Sequence, residues 1–396
     1  MLDSKRFIFG FVLAAFISAV VYFLPFKLLS RVGELSIDPV IAAQMKNEKS
    51  LFSSGLDQNA YRYKFKLMEA VRPEVVAIGS SRAMQVRKQF FKSDFVNLGG
   101  AVSNIAELES VVSDISSEKQ KPRLALVFID PWWLNKKAAG NGGVASQKKK
   151  SNAFSLPLAL SAIKSLKNGN WISKSMVSSN LGIHAILTGE GFAQDGSYHY
   201  TNRLSGRSQS FDDQMFKNTL ARIEKGEKRF AKADFSDPIL LSRTCTALRK
   251  LKSSLEHVVV IAPPFASVVW KAMAKGGYGY VLDAYDKIEE CVGAELFHSF
   301  VTGENIPGTS DCEFIDGFHG GDVTYARMIS LVATSDDVVK RIVDWNYVNQ
   351  FIYKNSGLAG ATTRQIFSID EVDFLEIGCE KKVFHTIGDR PSDAKK

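Results

Sequence analysis

Two short stretches of this chain carry residue types that could do covalent chemistry together. In Glu74-Val75-Val76-Ala77-Ile78-Gly79-Ser80-Ser81-Arg82, a β-branched apolar run stops at a glycine and two serines. The run predicts a strand, and a helix-compatible segment begins at Arg82, so a serine hydroxyl would stand at the carboxyl end of a sheet strand. Ligands of open α/β sheets bind at that end. A helix N-terminus beside it would offer free N–H groups to a developing negative charge. The second stretch is Cys312-Glu313-Phe314-Ile315-Asp316-Gly317-Phe318-His319-Gly320-Gly321-Asp322. A hydroxyl attacks only when a base removes its proton, which neutral histidine can do near pH 7. A carboxylate must then hold the imidazole in the right tautomer and stabilise its cation. Jointly the residues read as Ser81 nucleophile, His319 base and Asp316 orienting carboxylate. Each stretch alone has a plainer reading: Ser80 or Ser81 caps a helix, and Asp316 caps the helix after Gly320 with His319 on the surface.

The elements that must position these residues read as alternating strands and helices. Val75–Ile78 is a first strand, Asp94-Phe95-Val96-Asn97-Leu98 a second ending in Gly99-Gly100, and Arg123–Ile129 a third. Between the last two, Ile105, Leu108, Val111, Val112 and Ile115 recur at helical spacing. Near-continuous apolar strands suit a parallel sheet covered on both faces. The alternation lapses over residues 131–235, too long for a plain connection, so this reads as a mostly helical insertion over the sheet's carboxyl edge. It resumes with a helix over Ile239–Leu255, the strand His257–Ala262 before Pro263-Pro264, helices near 265–275 and 279–292, and a short strand near Leu296–Phe300. The expected fold is a doubly wound α/β domain over residues 71–335. A connector with a lead-in helix occupies residues 27–70, and a helical segment and tail occupy residues 336–396.

With those elements in order, the chain resembles the SGNH (GDSL-like) esterase and acyltransferase superfamily. The resemblance rests on Gly79-Ser80-Ser81 after the first strand and Asp316-x-x-His319 before the last helix of the domain. Its membrane-anchored branch, which includes D-alanine transfer proteins and periplasmic polysaccharide O-acetyltransferases, is the most similar. The resemblance implies a flavodoxin-like sheet and puts Ser81 rather than Ser80 on the nucleophile. Two family blocks differ. The glycine that usually follows the asparagine by several residues is displaced to Gly99-Gly100, with Val102 in its place, and the third-block asparagine is replaced by Asp130-Pro131-Trp132-Trp133. The oxyanion donors then fall to Gly100 and Asn104. Losing one such donor typically costs about 10²–10³ in rate. Trp132 and Trp133 either stack on a sugar or pack under the insertion.

The N-terminus sets the expected compartment. Phe7–Phe26 carries no charge and has about the 20 residues a bilayer-spanning helix needs. Its exit, Tyr22-Phe23-Leu24-Pro25-Phe26, is a poor cleavage site for a signal peptide, so residues 1–26 read as an uncleaved anchor. Lys5 and Arg6 precede it, while Lys27 and Arg31 are diluted by Glu34 and Asp38. That bias places the N-terminus in the cytoplasm. The rest, for a bacterial chain, lies in the periplasm as a single-pass inner-membrane protein. Four cysteines without a C-x-x-C allow three disulfide pairings. Among these, Cys291–Cys312 would brace the loop leading to Asp316. Six scattered histidines give a metal site no support. The net charge of +8 gathers partly at Lys136-Lys137 and Lys148-Lys149-Lys150, a solvated loop or a surface for anionic lipid or glycan. No aromatics interleave with these charges, which sets nucleic acid aside.

The resulting expectation is a membrane-anchored enzyme, without cofactor or metal, that moves or removes an acyl group, acetyl first of all, on an envelope polysaccharide. Transfer would require a multi-spanning membrane acyltransferase as donor partner, whereas hydrolysis needs only water. The alternative from another class is a non-catalytic scaffold that binds the polysaccharide or that partner.

Overall fold

A computed structural model of the protein describes residues 7–14, 16, 26–27, 29–46, 50–55, 60–139, 180–208 and 211–381. The chain divides into two compact units, one drawn from residues 1–58 and 150–191, the other from 59–149 and 192–396.

In the larger unit the β-branched runs become Val75–Gly79 (β1), Phe95–Gly99 (β2), Leu124–Phe128 (β3), His257–Ala262 (β4) and Phe297–Ser299 (β5). They form one five-stranded sheet in the order β2-β1-β3-β4-β5, with every pairing parallel. All residues of β1, β2 and β3 are buried, the reason their sequences are apolar without alternation. The principal helices are α1 (Ala60–Val71), α2 (Ile105–Ser117), α3 (Lys217–Lys225), α4 (Pro238–Ser254), α5 (Ser267–Ala274), α6 (Tyr280–Val292), α7 (Asp322–Ser335) and α8 (Trp345–Asn355).

Alternate strand residues point to opposite faces of a sheet. Val75, Ala77, Leu124, Leu126, Phe128, Val259 and Ile261 share one core with Val323, Met328 and Ile329 of α7 and Val348 and Phe351 of α8. Their neighbours Val76, Ile78, Ala125, Val127, Val258 and Val260 are equally buried. Beyond the sheet, α4 packs on α2 and α6. From β1 the chain crosses to β2 on one side and returns to β3 on the other, so the direction of winding reverses between β1 and β3. The carboxyl ends of strands at such a reversal form a crevice, and Ser81 stands there.

Two expectations change. The segment after Ser81 is not an α-helix but a single 3₁₀ turn, Ser81–Ala83. Asn97 explains it: its Nδ2 donates to the carbonyls of Ala83 (2.8 Å) and Val86 (2.9 Å), which a continuing helix would need for its own ladder. No helix dipole therefore acts at Ser81. The disulfides are Cys245–Cys291 and Cys312–Cys379, which overturns the pairing Cys291–Cys312. Cys291, on α6, faces α4 rather than the loop, and Cys312 reaches the C-terminal segment. Among the described residues no helix is long and apolar enough to cross a membrane. Half of Phe7–Phe26, together with Lys148–Lys150 and part of the expected insertion over 131–235, lies outside the described residues.

The smaller unit is organised around Glu34. Its carboxylate accepts from the Ser54 hydroxyl at 2.5 Å, from the Gly55 N–H at 3.0 Å and from the Ile183 N–H. The short helices Asp38–Gln44 and Ile183–Thr188 belong to this unit.

Candidate active site

β1 ends at Gly79, where a side chain would be crowded: a Cβ would stand 3.0 Å from Ala83 and Phe128 atoms. The chain therefore turns tightly into Ser80 and Ser81. Ser80 behaves as the plainer reading supposed, capping the 3₁₀ turn by accepting the Arg82 N–H on its Oγ at 3.1 Å. Ser81, one residue on, is only half-buried, and its Oγ lies 2.7 Å from His319 Nε2.

His319 sits on a small hairpin, Phe314–Asp316 (β6) and His319–Gly320 (β7). Asp316 does not cap the following helix. Its Oδ1 accepts the N–H groups of Phe318 (3.0 Å) and His319 (2.9 Å), and its Oδ2 lies 2.7 Å from His319 Nδ1. Burial alone would raise the Asp316 pKa. The His319 charge and hydrogen bond, Arg203 and the Phe318 N–H outweigh it and bring the value down to about 2. Arg203 stands 3.9 Å from Oδ2. With Asp316 a carboxylate, Nδ1 carries the ring hydrogen and Nε2 is left to accept from the Ser81 hydroxyl. The structure thus brings together the three residues singled out from sequence, in the order that base-assisted attack by serine requires.

The loop between Asp316 and His319 is held at each step. Asp213 accepts the Gly317 N–H at 3.0 Å, and the Ala266 N–H donates to the Gly317 carbonyl at 3.1 Å. A Cβ at Gly317 would come within 2.7 Å of Thr219 and 2.8 Å of Val269, so any larger residue would push those side chains aside. Arg82 holds the Phe318 carbonyl from Nε at 2.9 Å and reaches the Pro263 (2.7 Å) and Pro264 (2.5 Å) carbonyls from Nη2. Its Nη1 pairs with Asp130 at 3.3 Å, both side chains being buried. The Tyr325 hydroxyl donates to the Arg82 carbonyl. Burial pushes the Asp130 pKa up, and the Arg82 charge and the Ser80 hydroxyl pull it back. Sequence reading missed Arg82 and Asp213. For Arg82 a signal existed, since Asp130 is a lone charge ending an apolar strand and requires a buried cation.

The expected oxyanion donors fare differently. The Gly100 N–H is engaged by the carbonyls of Gly79 and Ser80, both at 2.9 Å, and the Val102 N–H by Gly79 at 3.2 Å. Gly100 therefore has no hydrogen to offer an oxyanion, because the turn after β2 closes back on β1. Asn104 is the N-cap of α2, its side chain accepting the Glu107 N–H at 3.0 Å. The Ser81 N–H itself has no acceptor among the described residues, and it lies on the residue whose Oγ meets His319.

Trp132 and Trp133 are buried, 7% and 1% exposed. Trp132 sits edge-on among Phe230, Phe265 and Phe318, with the Arg82 and Arg229 guanidiniums 5.3 and 5.2 Å from its ring. Both indoles border a cavity of about 620 Å³ that Ser103, Asn104, Asn218, Arg222 and Arg229 also line. Among the described residues no group of three or more His, Cys, Asp or Glu could hold a metal ion. Compared with protein-family models, curated proteins and solved structures, the chain matches none.

Proposed function

We propose that this protein is a serine-dependent O-acyltransferase or carbohydrate esterase of SGNH-like, doubly wound type, acting on O-acyl groups, acetyl first of all, of an envelope polysaccharide. The observation that carries the reading is the relay of Ser81 Oγ, His319 Nε2, His319 Nδ1 and Asp316 Oδ2, with 2.7 Å at both hydrogen bonds. Serine hydroxyls are weak nucleophiles until such a base is in place.

In this reaction Ser81 Oγ attacks the acyl carbonyl carbon while His319 Nε2 takes the hydroxyl proton. The carbonyl becomes an oxyanion that the Ser81 N–H is placed to meet. Collapse expels the alcohol, which takes the proton back from His319, and leaves the acyl group on Ser81. A second hydroxyl, from a sugar or from water, then attacks the acyl-enzyme with His319 again as base, and collapse breaks the bond to Ser81 Oγ, which takes the proton back from His319. Asp316 remains ionised throughout and stabilises the imidazolium. Whether sugar or water resolves the intermediate separates transferase from esterase. A transferase also needs an acyl donor, which we assign to a multi-spanning membrane acyltransferase.

The uncharged run Phe7–Phe26 supports a single-pass inner-membrane anchor with the enzyme in the periplasm. A second reading, a non-catalytic scaffold in an acylation complex, draws support from the engaged Gly100 N–H.

A serine-directed fluorophosphonate separates the two. The enzyme reading expects label at Ser81 alone, lost in Ser81→Ala and retained in Ser80→Ala. An unlabelled protein, with polymer acylation unchanged in a Ser81→Ala strain, would leave the scaffold. For the anchor, protease added to spheroplasts should cut beyond residue 30 while the full-length chain stays in the membrane fraction. A mature chain lacking residues 1–26 would contradict it.

A further inference from the structure

The cavity of about 620 Å³ is within the roughly 300–1,000 Å³ range of sites that enclose small ligands or single units of larger ones. Its chemistry is unbalanced. Arg222, Lys228 and Arg229 line it against one carboxylate, the exposed Glu227. Among the described residues neither Arg222 nor Arg229 has a carboxylate within ion-pair distance or a side-chain hydrogen bond. Instead they lie over aromatic rings, Arg222 4.9 Å from Phe230 and Arg229 5.2 Å from both Trp132 and Phe318. Burial weakens the hold of Arg229 on its proton, Asp130 offsets part of this, and the like charge of Arg222 adds to it. Two guanidiniums held close without a counter-ion are an arrangement that an anion improves.

A second observation comes from Trp133. It lines the same cavity, is 1% exposed, and its indole N–H has no acceptor among the described residues. Buried indole N–H groups ordinarily find a partner, and here a ligand oxygen can supply it. The cavity also adjoins the catalytic loop, since Arg229 contacts the ring of Phe318, the residue before His319.

We propose that this cavity is the subsite for an acidic sugar unit of the polymer, its carboxylate or phosphate held by Arg222 and Arg229 and one of its oxygens accepting from Trp133 Nε1. This rests on the function proposed above and narrows it to anionic polysaccharides. On this proposal the acidic unit lies next to the sugar whose acyl ester reaches Ser81.

The test is equilibrium binding to the purified full-length chain carrying Ser81→Ala, so that nothing turns over. The probes are an oligogalacturonate, its neutral methyl ester and a phosphorylated malto-oligosaccharide of matched length. The acidic probes should bind at least about tenfold more tightly than the ester, less so at high salt, and the tighter of the two identifies the anion. Arg229→Gln and Arg222→Gln should each remove about tenfold or more of that affinity. Arg222→Lys should retain part of it, and melting curves would show whether each variant is folded. Equal binding of the acid and its ester, or folded arginine variants that bind as the parent does, would overturn the subsite. Absence of binding, with the parent protein still labelled at Ser81, removes the subsite and leaves the enzyme. Intact binding, with a parent protein that never labels, does the reverse.

Discussion

Arg82 and Phe318 are joined by a hydrogen bond from Nε to the carbonyl oxygen, 2.9 Å long, that ties the residue after Ser81 to the residue before His319. The distance between Ser81 and His319 is therefore not set by those two side chains alone. One guanidinium ties the turn of Ser81 to the hairpin of His319 and to the two carbonyls after β4, and Asp130 neutralises it.

Arg82→Met should destabilise the protein by about 3–5 kcal/mol, because it leaves Asp130 charged and buried without a cation. Adding Asp130→Asn should return part of that loss. Urea unfolding measures both, and labelling at Ser81 should stay slow in each because Phe318 is no longer held. Arg82→Lys, which keeps the charge without the planar fork, should fall between. A stable Arg82→Met protein that labels at the parent rate would show that Arg82 positions nothing.

Within the relay, His319→Ala should suppress fluorophosphonate labelling nearly as far as Ser81→Ala does. Asp316→Asn should cost of the order of 10³–10⁴ in rate by leaving the imidazole in the wrong tautomer. The residues act as a unit, so Ser81→Ala with His319→Ala should be little worse than either alone. Additive losses would show that Ser81 and His319 do not work together.

The depressed pKa of Asp316, about 2, makes a statement about acid stability. Its unfolded value is near 4, so the unfolded chain binds the proton first on acidification. The stabilisation is fully present above pH 4 and is lost as pH falls through about 2. Asp316→Asn, which cannot titrate, should show a shallower fall in unfolding free energy across that window. An unchanged slope would mean that Asp316 is not held ionised by His319.

Non-reducing peptide maps should contain Cys245–Cys291 and Cys312–Cys379. The second closes a loop of 67 residues, for which chain entropy predicts a contribution of about 4 kcal/mol. It lies just ahead of Asp316, so Cys379→Ser should lower the unfolding midpoint and slow labelling at Ser81. Free thiols at Cys312 and Cys379 in protein from an oxidising compartment would refute the pairing.

Much of the core was legible in the chain itself. Runs such as Val75–Ile78 and His257–Ala262 are strands because β-branched residues buried on both faces leave no other local solution. Ile105 to Ser117 is a helix because its apolar residues recur at the helical period and Asn104 caps it. That a serine ends the first strand, and that a carboxylate and a histidine share a turn before α7, are likewise local facts. What stayed hidden depends on groups far apart in sequence. The Gly100 N–H is turned inward because Gly79 and Ser80 need a donor, and the turn after Ser81 stops short of a helix because Asn97 takes its carbonyls. Neither could be read from periodicity, since competition for a backbone group is decided by whichever partner the packed sheet brings nearest. The disulfide pairing and the Arg82–Asp130 pair have the same origin. Sequence alone determined which residue types could act and on which elements they stand. Only the tertiary structure decided that Ser81 Oγ meets His319 Nε2 at 2.7 Å, because that distance is set by a parallel sheet and a buried guanidinium, not by any spacing along the chain.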